Sequence, residues 1–316
     1  MPSRIAVRLA GALTITMASL AALTACDGIG RLRTTWVADG DVVLRETVRA
    51  GRLTDQDLRE ASGLTPSQRE PGMFWFLNDS GNDERLFAAD SAGRALGTVW
   101  VTGTRNQDWE ALSSGPCPEG HCLYIADTGD NMALRPVVQL LRLPEPSRTA
   151  REVPLAQTLT LRYADGAHDV EAMYVAPDTS VWLITKRPTT NDGGAFRPVR
   201  VYRVPPEAWG STEPVTVSVM DSLPVVPVRR SSRDWVTDAS LSAPDSTGRR
   251  RLALLTYGAV HIFEVDSASG RPGAAVARCS LPIHERSAEG ITWLPDGRIL
   301  LVNEGRGGVM YAGLCP

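Results

Sequence analysis

Glu110-Ala111-Leu112-Ser113-Ser114-Gly115-Pro116 returns 61 residues later as Glu171-Ala172-Met173-Tyr174-Val175-Ala176-Pro177. Each stretch reads as an acid, a small residue, four further residues and a proline. Three more copies fit the pattern. Glu60-Ala61 precedes Pro66, Asp238-Ala239 precedes Pro244, and Glu289-Gly290 precedes Pro295. The five starts are 50, 61, 67 and 51 residues apart. The sequence beyond each proline recurs too. A turn comes first, written Pro-Asp at Pro177, Pro244 and Pro295. Then comes an apolar run of strand length: Met73 to Leu77, Cys122 to Ala126, Val181 to Thr185, Leu252 to Thr256 and Ile299 to Val302. Third strands are expected at Val137 to Leu143, Val199 to Val204 and Val260 to Val265. Fourth strands are expected at Ala95 to Val101, Leu155 to Tyr163, Val215 to Met220 and Ala274 to Cys279.

Four strands per repeat, with no long amphipathic helix between them, describe the blades of an all-β, five-bladed β-propeller. The fifth copy runs out after Gly308 to Leu314, one strand short. The unassigned strand-like stretch Thr35 to Val48 would supply that strand and close the ring, leaving no open sheet edge. Six blades would fit if residues 205–236 hid a degenerate one. That stretch is Pro-rich and polar, and a long loop is the expectation. At about 150 residues per domain the 316 residues suggest two domains. The repeat makes them one, over residues 34–316.

In a propeller the first strand of each blade runs along the central channel. The five acids Glu60, Glu110, Glu171, Asp238 and Glu289 would therefore converge at one mouth. Six residues further on, a rise of roughly 20 Å, the prolines would mark the other mouth. Two charges 4 Å apart repel by about 4 kcal/mol at an effective dielectric of 20. Such a ring needs a cation, shared protons, or amide and guanidinium partners. Calcium suits it best, because it takes six to eight oxygens in irregular geometry. Ser62 and Ser240 lie two residues along the same strands and would add hydroxyls. The alternative is structural: carboxylates that cap exposed amides.

This arrangement resembles the calcium-activated apyrases, five-bladed propellers with a central calcium held by Glu and Ser side chains of successive inner strands. The resemblance lies in one motif per blade and implies that the five acids and nearby serines are the ligands. Phytase-like and gluconolactonase-like propellers, which also bind calcium, are similar in the same limited sense. The chain also looks like bacterial propeller lipoproteins with Asn-Asp-Ser-Gly and Asp-Trp-Glu segments.

The loop after each second strand returns to the acidic mouth. These loops carry Asn78-Asp79, Asp127 to Asn131, Lys186-Arg187, Tyr257-Gly258 and Asn303-Glu304. Asp79, Asp127, Asp130 and Lys186 are the candidate catalytic residues for a metal-activated water. Asn78, Asn131, Arg187, Tyr257, Asn303 and Glu304 are candidate ligand contacts. Short polar residues also make turns for their own sake. Trp109, Trp235 and Trp293 stand near the inner strands, where inter-blade packing is the ordinary role. No nucleophile elbow or phosphate-binding glycine loop occurs.

The N-terminus sets the expected compartment. Arg4 and Arg8 precede an uncharged apolar run, Leu9 to Leu23, of about 15 residues, short for a span of roughly 20. Leu23-Thr24-Ala25-Cys26 resembles the lipobox of bacterial lipoproteins. The resemblance implies a signal peptide over residues 1–25, lipidation (palmitate) of Cys26, and a tether over residues 26–33. It places the protein on the cell membrane, facing the periplasm or the exterior. The whole chain has 33 basic and 36 acidic residues, a net charge of −3, which argues against nucleic acid as a partner. A single lysine, Lys186, stands among the basic residues. Hydrophobic content of 43% fits a globular body. Beyond Cys26 four cysteines remain, an even number for an oxidising compartment. Cys117 and Cys122 flank a turn-like Pro-Glu-Gly-His, so they are expected to pair locally, leaving Cys279 with Cys315. CxxxxC has the wrong spacing for zinc. The sequence thus reads as a lipid-anchored, monomeric, calcium-binding propeller. It would serve as a binding or scaffold module of the cell envelope for a small anionic ligand or an envelope protein. The alternative is a calcium-dependent hydrolase of a phosphoester or lactone.

Overall fold

The computed structural model describes residues 42–187, 197–227, 231–282 and 287–316. The signal segment, Cys26, the tether and the start of the expected closing strand lie outside these residues. Among the described residues no helix is long and apolar enough to cross a membrane.

The strands form five separate sheets, each an antiparallel meander. Blade one is built from Ala61–Pro66, Met73–Asn78, Arg85–Asp90 and Ala95–Thr102. Blade two uses Trp109–Cys117, Gly120–Asp127, Val138–Pro144 and Gln157–Tyr163. Blade three uses Val170–Val175, Val181–Thr185, Arg200–Val204 and Val219–Ser222. Blade four uses Val236–Leu241, Arg251–Thr256, Ala259–Val265 and Pro272–Ser280. Blade five uses Ala288–Trp293, Ile299–Asn303 and Val309–Leu314. Its fourth strand comes from the other end of the chain: Arg45–Arg52 pairs antiparallel with Val309–Leu314. The innermost strands pack in chain order, and the fifth packs back on the first. The expected ring and its N-terminal closing strand are both present. The closing strand lies further along than Thr35 to Val48, because Val42–Val43 is used elsewhere.

That use is a second interlock. Val42–Val43 runs parallel to the outer strand of blade four. Glu152–Pro154 does the same on blade one, and Val215–Val217 on blade two. In each case the segment that leads into one blade's outer strand first pairs with the outer strand of the blade before. The region 205–236 supplies such a segment, blade three's fourth strand and a 3-10 turn at Pro206–Gly210. It holds no sixth blade among the described residues.

The apolar pattern explains the stacking. Second strands such as Met73–Asn78 and Val181–Thr185 are buried throughout, because neighbouring blades cover both faces. Outer strands alternate, as in Gln157–Tyr163, where one face meets water. Five apolar layers result, one per blade interface. Trp75, Leu112 and Leu141 pack between blades one and two; Tyr174, Trp182 and Phe263 pack between three and four. Trp109 is fully buried in the first of these layers, which is the packing role. Both expected disulfides form. Cys117–Cys122 closes the blade-two hairpin, and Cys279–Cys315 ties the outer strand of blade four to the chain end beside blade five.

Candidate functional site

Each inner strand carries one β-bulge near its start, which fixes how the blades align. The residues skipped by the ladder are Ser62, Glu110, Glu171, Thr237 and Glu289. The sequence repeat therefore holds in blades two, three and five, and slips in the other two. Glu60 is equivalent to Asp108 and Asp169, two residues before the bulged one, and Asp238 falls one residue beyond its bulge. Backbone bonds confirm this alignment. The amides of Asp79, Gly129, Lys186, Tyr257 and Glu304 donate to the carbonyls of Glu60, Asp108, Asp169, Trp235 and Ser287.

A polar crevice of about 120 Å³ opens at this mouth. Of the five expected acids, Glu60, Glu110, Glu171 and Glu289 line it, joined by Asp79, Lys186, Asn131, Tyr257 and Glu304 from the loops. Glu60 is exposed at the rim and accepts a bond from Asn82 at 2.7 Å. Asp238 is not part of the crevice. It is fully buried, and its carboxylate accepts the amides of Ala239 and Ile291, each at 2.8 Å, clamping blade four to blade five. Burial raises its pKa well above the ordinary aspartate range.

Two tight carboxylate groups meet at Glu110. Asp79, Asp108 and Glu110 offer oxygens within 4.8 Å of one another, and so do Glu110, Asp169 and Glu171. Neither Asp108 nor Asp169 follows from the acid–small–proline repeat. The signal that finds them is the shorter pattern acid, apolar, acid in Asp108-Trp109-Glu110 and Asp169-Val170-Glu171. The second group holds its own cation: Lys186 Nζ binds Glu171 Oε1. The first group forms no ion pair among the described residues, although Lys186 is near enough to oppose the upward shifts of Asp79 and Glu110. Ser62 Oγ donates to the Glu110 backbone carbonyl at 3.0 Å and lies 3.3 Å from its Oε2. Asp169 Oδ1 accepts the Asp130 amide at 2.9 Å, while its buried Oδ2 has no partner.

Gly129 keeps the first group accessible. A Cβ there would lie 2.3 Å from Glu110 Oε1 and 2.5 Å from Asp108 Oδ2. Arg135 fixes this loop. Its guanidinium donates to the Gly129 carbonyl and to Asp127 Oδ1, both at 2.8 Å.

The electrostatics follow from burial. Burial pushes the Glu110 carboxyl well up, and Glu171, Asp79 and Asp108 add to the shift. Burial likewise raises Glu171, which Lys186 opposes. Asp79 and Asp108 are raised by burial and by their carboxylate neighbours. Glu289 is pushed up to about 7, mainly by burial, although Tyr257 donates to it at 2.5 Å. Burial disfavours the Lys186 ammonium, but Glu171, Asp169 and Glu110 more than offset this and raise its pKa.

The remaining candidates divide. Asp127 is buried and paired with Arg135, away from the crevice. Asp130 caps its own turn, accepting the Leu134 and Arg135 amides at 2.8 and 2.7 Å. Neither belongs with Asp79 and Lys186. Asn78 is a turn clasp, accepting the Arg59 and Glu60 amides and donating to Asp57 O. Asn303 is buried at the end of its strand, opposite Ala288. Arg187 spans the rim, donating to Asn131 O at 3.1 Å with its guanidinium 4.4 Å over Trp235. Trp293 and Ser240 belong to the other end of the channel, where the indole donates to the Ser240 carbonyl.

No protein-family model matches the chain, and no curated protein matches it. Solved structures do. The soluble aldose sugar dehydrogenase of Escherichia coli aligns with a TM-score of 0.47 at 9% identity, over 84% of this chain and 98% of that one. The glutaminyl cyclase of Myxococcus xanthus aligns with a TM-score of 0.45 at 13% identity, over 85% and 97%. Virginiamycin B lyase of Staphylococcus aureus gives 0.41 at 12%, over 85% and 73%.

Proposed function

We propose that the mature chain is a lipid-anchored, extracytoplasmic propeller that binds a divalent cation of the calcium class and acts as a binding module of the cell envelope. The carrying observation is the group Asp79, Asp108 and Glu110. Its oxygens lie within 4.8 Å of one another, and among the described residues no basic side chain pairs with them. Oxygens that share one calcium at about 2.4 Å are separated by no more than about 4.8 Å. The donor set is all oxygen, which disfavours zinc. Asp169, which shares the second group with Glu110, carries a buried Oδ2 without a hydrogen-bond partner. Asp79 and Glu110 line the crevice, which is small enough for an ion and its waters. Lys186 is committed to Glu171, and Asp127 and Asp130 are committed to Arg135 and a turn, which favours binding over catalysis.

The test is calorimetric titration of purified protein with calcium and with magnesium, alongside metal analysis. One calcium per chain, bound more tightly than magnesium and raising Tm, supports the reading. No binding and an unchanged Tm would overturn it. Anchoring is tested by Cys26→Ser, which should move the protein from the membrane fraction to the soluble one.

A second reading, the calcium-dependent hydrolase, draws on Glu289. A carboxyl near pH 7 suits a general base. Turnover of a phosphoester or lactone panel only with calcium, lost in Glu289→Gln, would favour it.

A further inference from the structure

The opposite mouth of the channel has the reverse chemistry. A cavity of about 400 Å³ opens there between the lower ends of the inner strands of blades one to four. That is within the range of small-molecule sites, about 300–1,000 Å³. Among the described residues no Asp or Glu lines it. Its polar wall is hydroxyl, amide, imidazole and guanidinium, with Thr65, Gln68, Ser114, His121, Ser242 and Arg250 among the lining residues. Leu64, Leu112 and Val175 supply apolar wall between them.

Hydrogen-bond accounting shows what the wall still offers. Ser114 Oγ accepts from Thr65 Oγ1 at 3.0 Å and from Gln68 Nε2 at 3.2 Å. A hydroxyl has two acceptor sites and one proton, so both acceptor sites are used and the proton remains to be donated. Arg250 spends Nη1 on the Ser242 carbonyl at 2.7 Å. Among the described residues its remaining guanidinium donors meet no carboxylate, and partial burial, with no acid to offset it, lowers its pKa. A guanidinium that is partly desolvated and without a counter-ion is costly, and a bidentate carboxylate matches its planar fork. One such charge balances a monoanion. A phosphate dianion would require a second permanent cation, and among the described residues the lining holds none besides Arg250.

We propose that the lower mouth is a binding site for a small hydroxylated monocarboxylate, separate from the acidic crevice at the other end. The carboxylate pairs with Arg250, Ser114 donates a hydroxyl, and the hydrocarbon body of the ligand lies against Leu64, Leu112 and Val175.

The experiment is calorimetric titration of the full chain with sodium D-gluconate, D-glucose and inorganic phosphate, at fixed ionic strength in calcium-free buffer. Gluconate should bind once per chain. D-glucose, which keeps the hydroxyls and lacks the charge, should bind at least about tenfold more weakly. Arg250→Gln should weaken gluconate by roughly 10- to 100-fold and leave the calcium titration unchanged, which separates this site from the crevice. Ser114→Ala should weaken gluconate several-fold, and it decides the matter if Arg250→Gln does not fold. The proposal is overturned if gluconate shows no saturable binding in the millimolar range. It is also overturned if phosphate binds more tightly than gluconate, or if both variants bind gluconate as the wild type does.

Discussion

Gly129 and Glu110 are in steric opposition: a Cβ on the glycine would stand 2.3 Å from Glu110 Oε1. The backbone of Gly129 does not need the left-handed region, so the constraint is the acid beside it and not the turn. Gly129→Ala should therefore fold, at a cost of about 1–3 kcal/mol for overpacking. It should weaken calcium by more than about tenfold, because Glu110 and Asp108 must both move and ligand placement sets affinity in such sites. Calorimetry on the folded variant reads this directly. Unchanged affinity would remove the carboxylate group from the proposed site.

Glu110→Gln tests the same group through charge. Without calcium the buried Glu110 carboxylate stands among Glu171, Asp79 and Asp108, which adds to the upward push of burial on its pKa. An amide of the same shape removes that repulsion. Above neutral pH and without calcium, the variant should melt no lower than the wild type. With calcium at a hundred times the wild-type Kd, the wild type should gain about 2.7 kcal/mol and the variant much less. Paired melts with and without chelator give both differences. A variant protected as well as the wild type would exclude Glu110 as a ligand.

The fold was legible because blade geometry imposes a covalent rhythm. An inner strand must be small-residued at the axis and must turn at its lower end, and four of the five copies write this identically, as an alanine with four residues between it and the proline. The site was less legible, because a bulge moves the facing residue without changing its spelling. Glu60 and Asp238 look like Glu110 in sequence, yet one lies two positions before the bulged residue and the other one position after it. The acid at the right spacing in blade one is Glu60, but the residue in Glu110's place is Ser62. Asp127 and Asp130 were misleading for another reason. Arg135, five to eight residues further on, takes up one carboxylate and contributes an amide to the other. That pairing depends on the loop path and not on spacing.

Asp238 should behave as a stability residue. Its two oxygens accept buried amides from Ala239 and Ile291, on two blades. Asp238→Ala leaves both amides without a partner, at about 1–3 kcal/mol for each. Asp238→Asn keeps one acceptor and turns an NH2 toward the other amide, so it should be intermediate or equally poor. Urea unfolding measures the loss, and calcium titration of the same samples should show no change in affinity. A Tm unaffected by Asp238→Ala would contradict the clamp.

The two disulfides should differ in worth. Cys279–Cys315 closes 36 residues and Cys117–Cys122 closes 5. Loop-closure entropy then gives about 4 kcal/mol for the first and about 2 for the second. The first has a further role that the loop formula omits. It joins the outer strand of blade four to the end of the chain, next to the strand that Arg45–Arg52 must find to close the ring. Replacing Cys279 and Cys315 by serine should therefore release the closing strand before the rest unfolds, and hydrogen exchange should rise first in Arg45–Arg52 and Val309–Leu314. Replacing Cys117 and Cys122 should lower global stability without that local opening, because its loop lies within one hairpin of blade two. Equal exchange in both variants would show that strand pairing alone holds the ring shut.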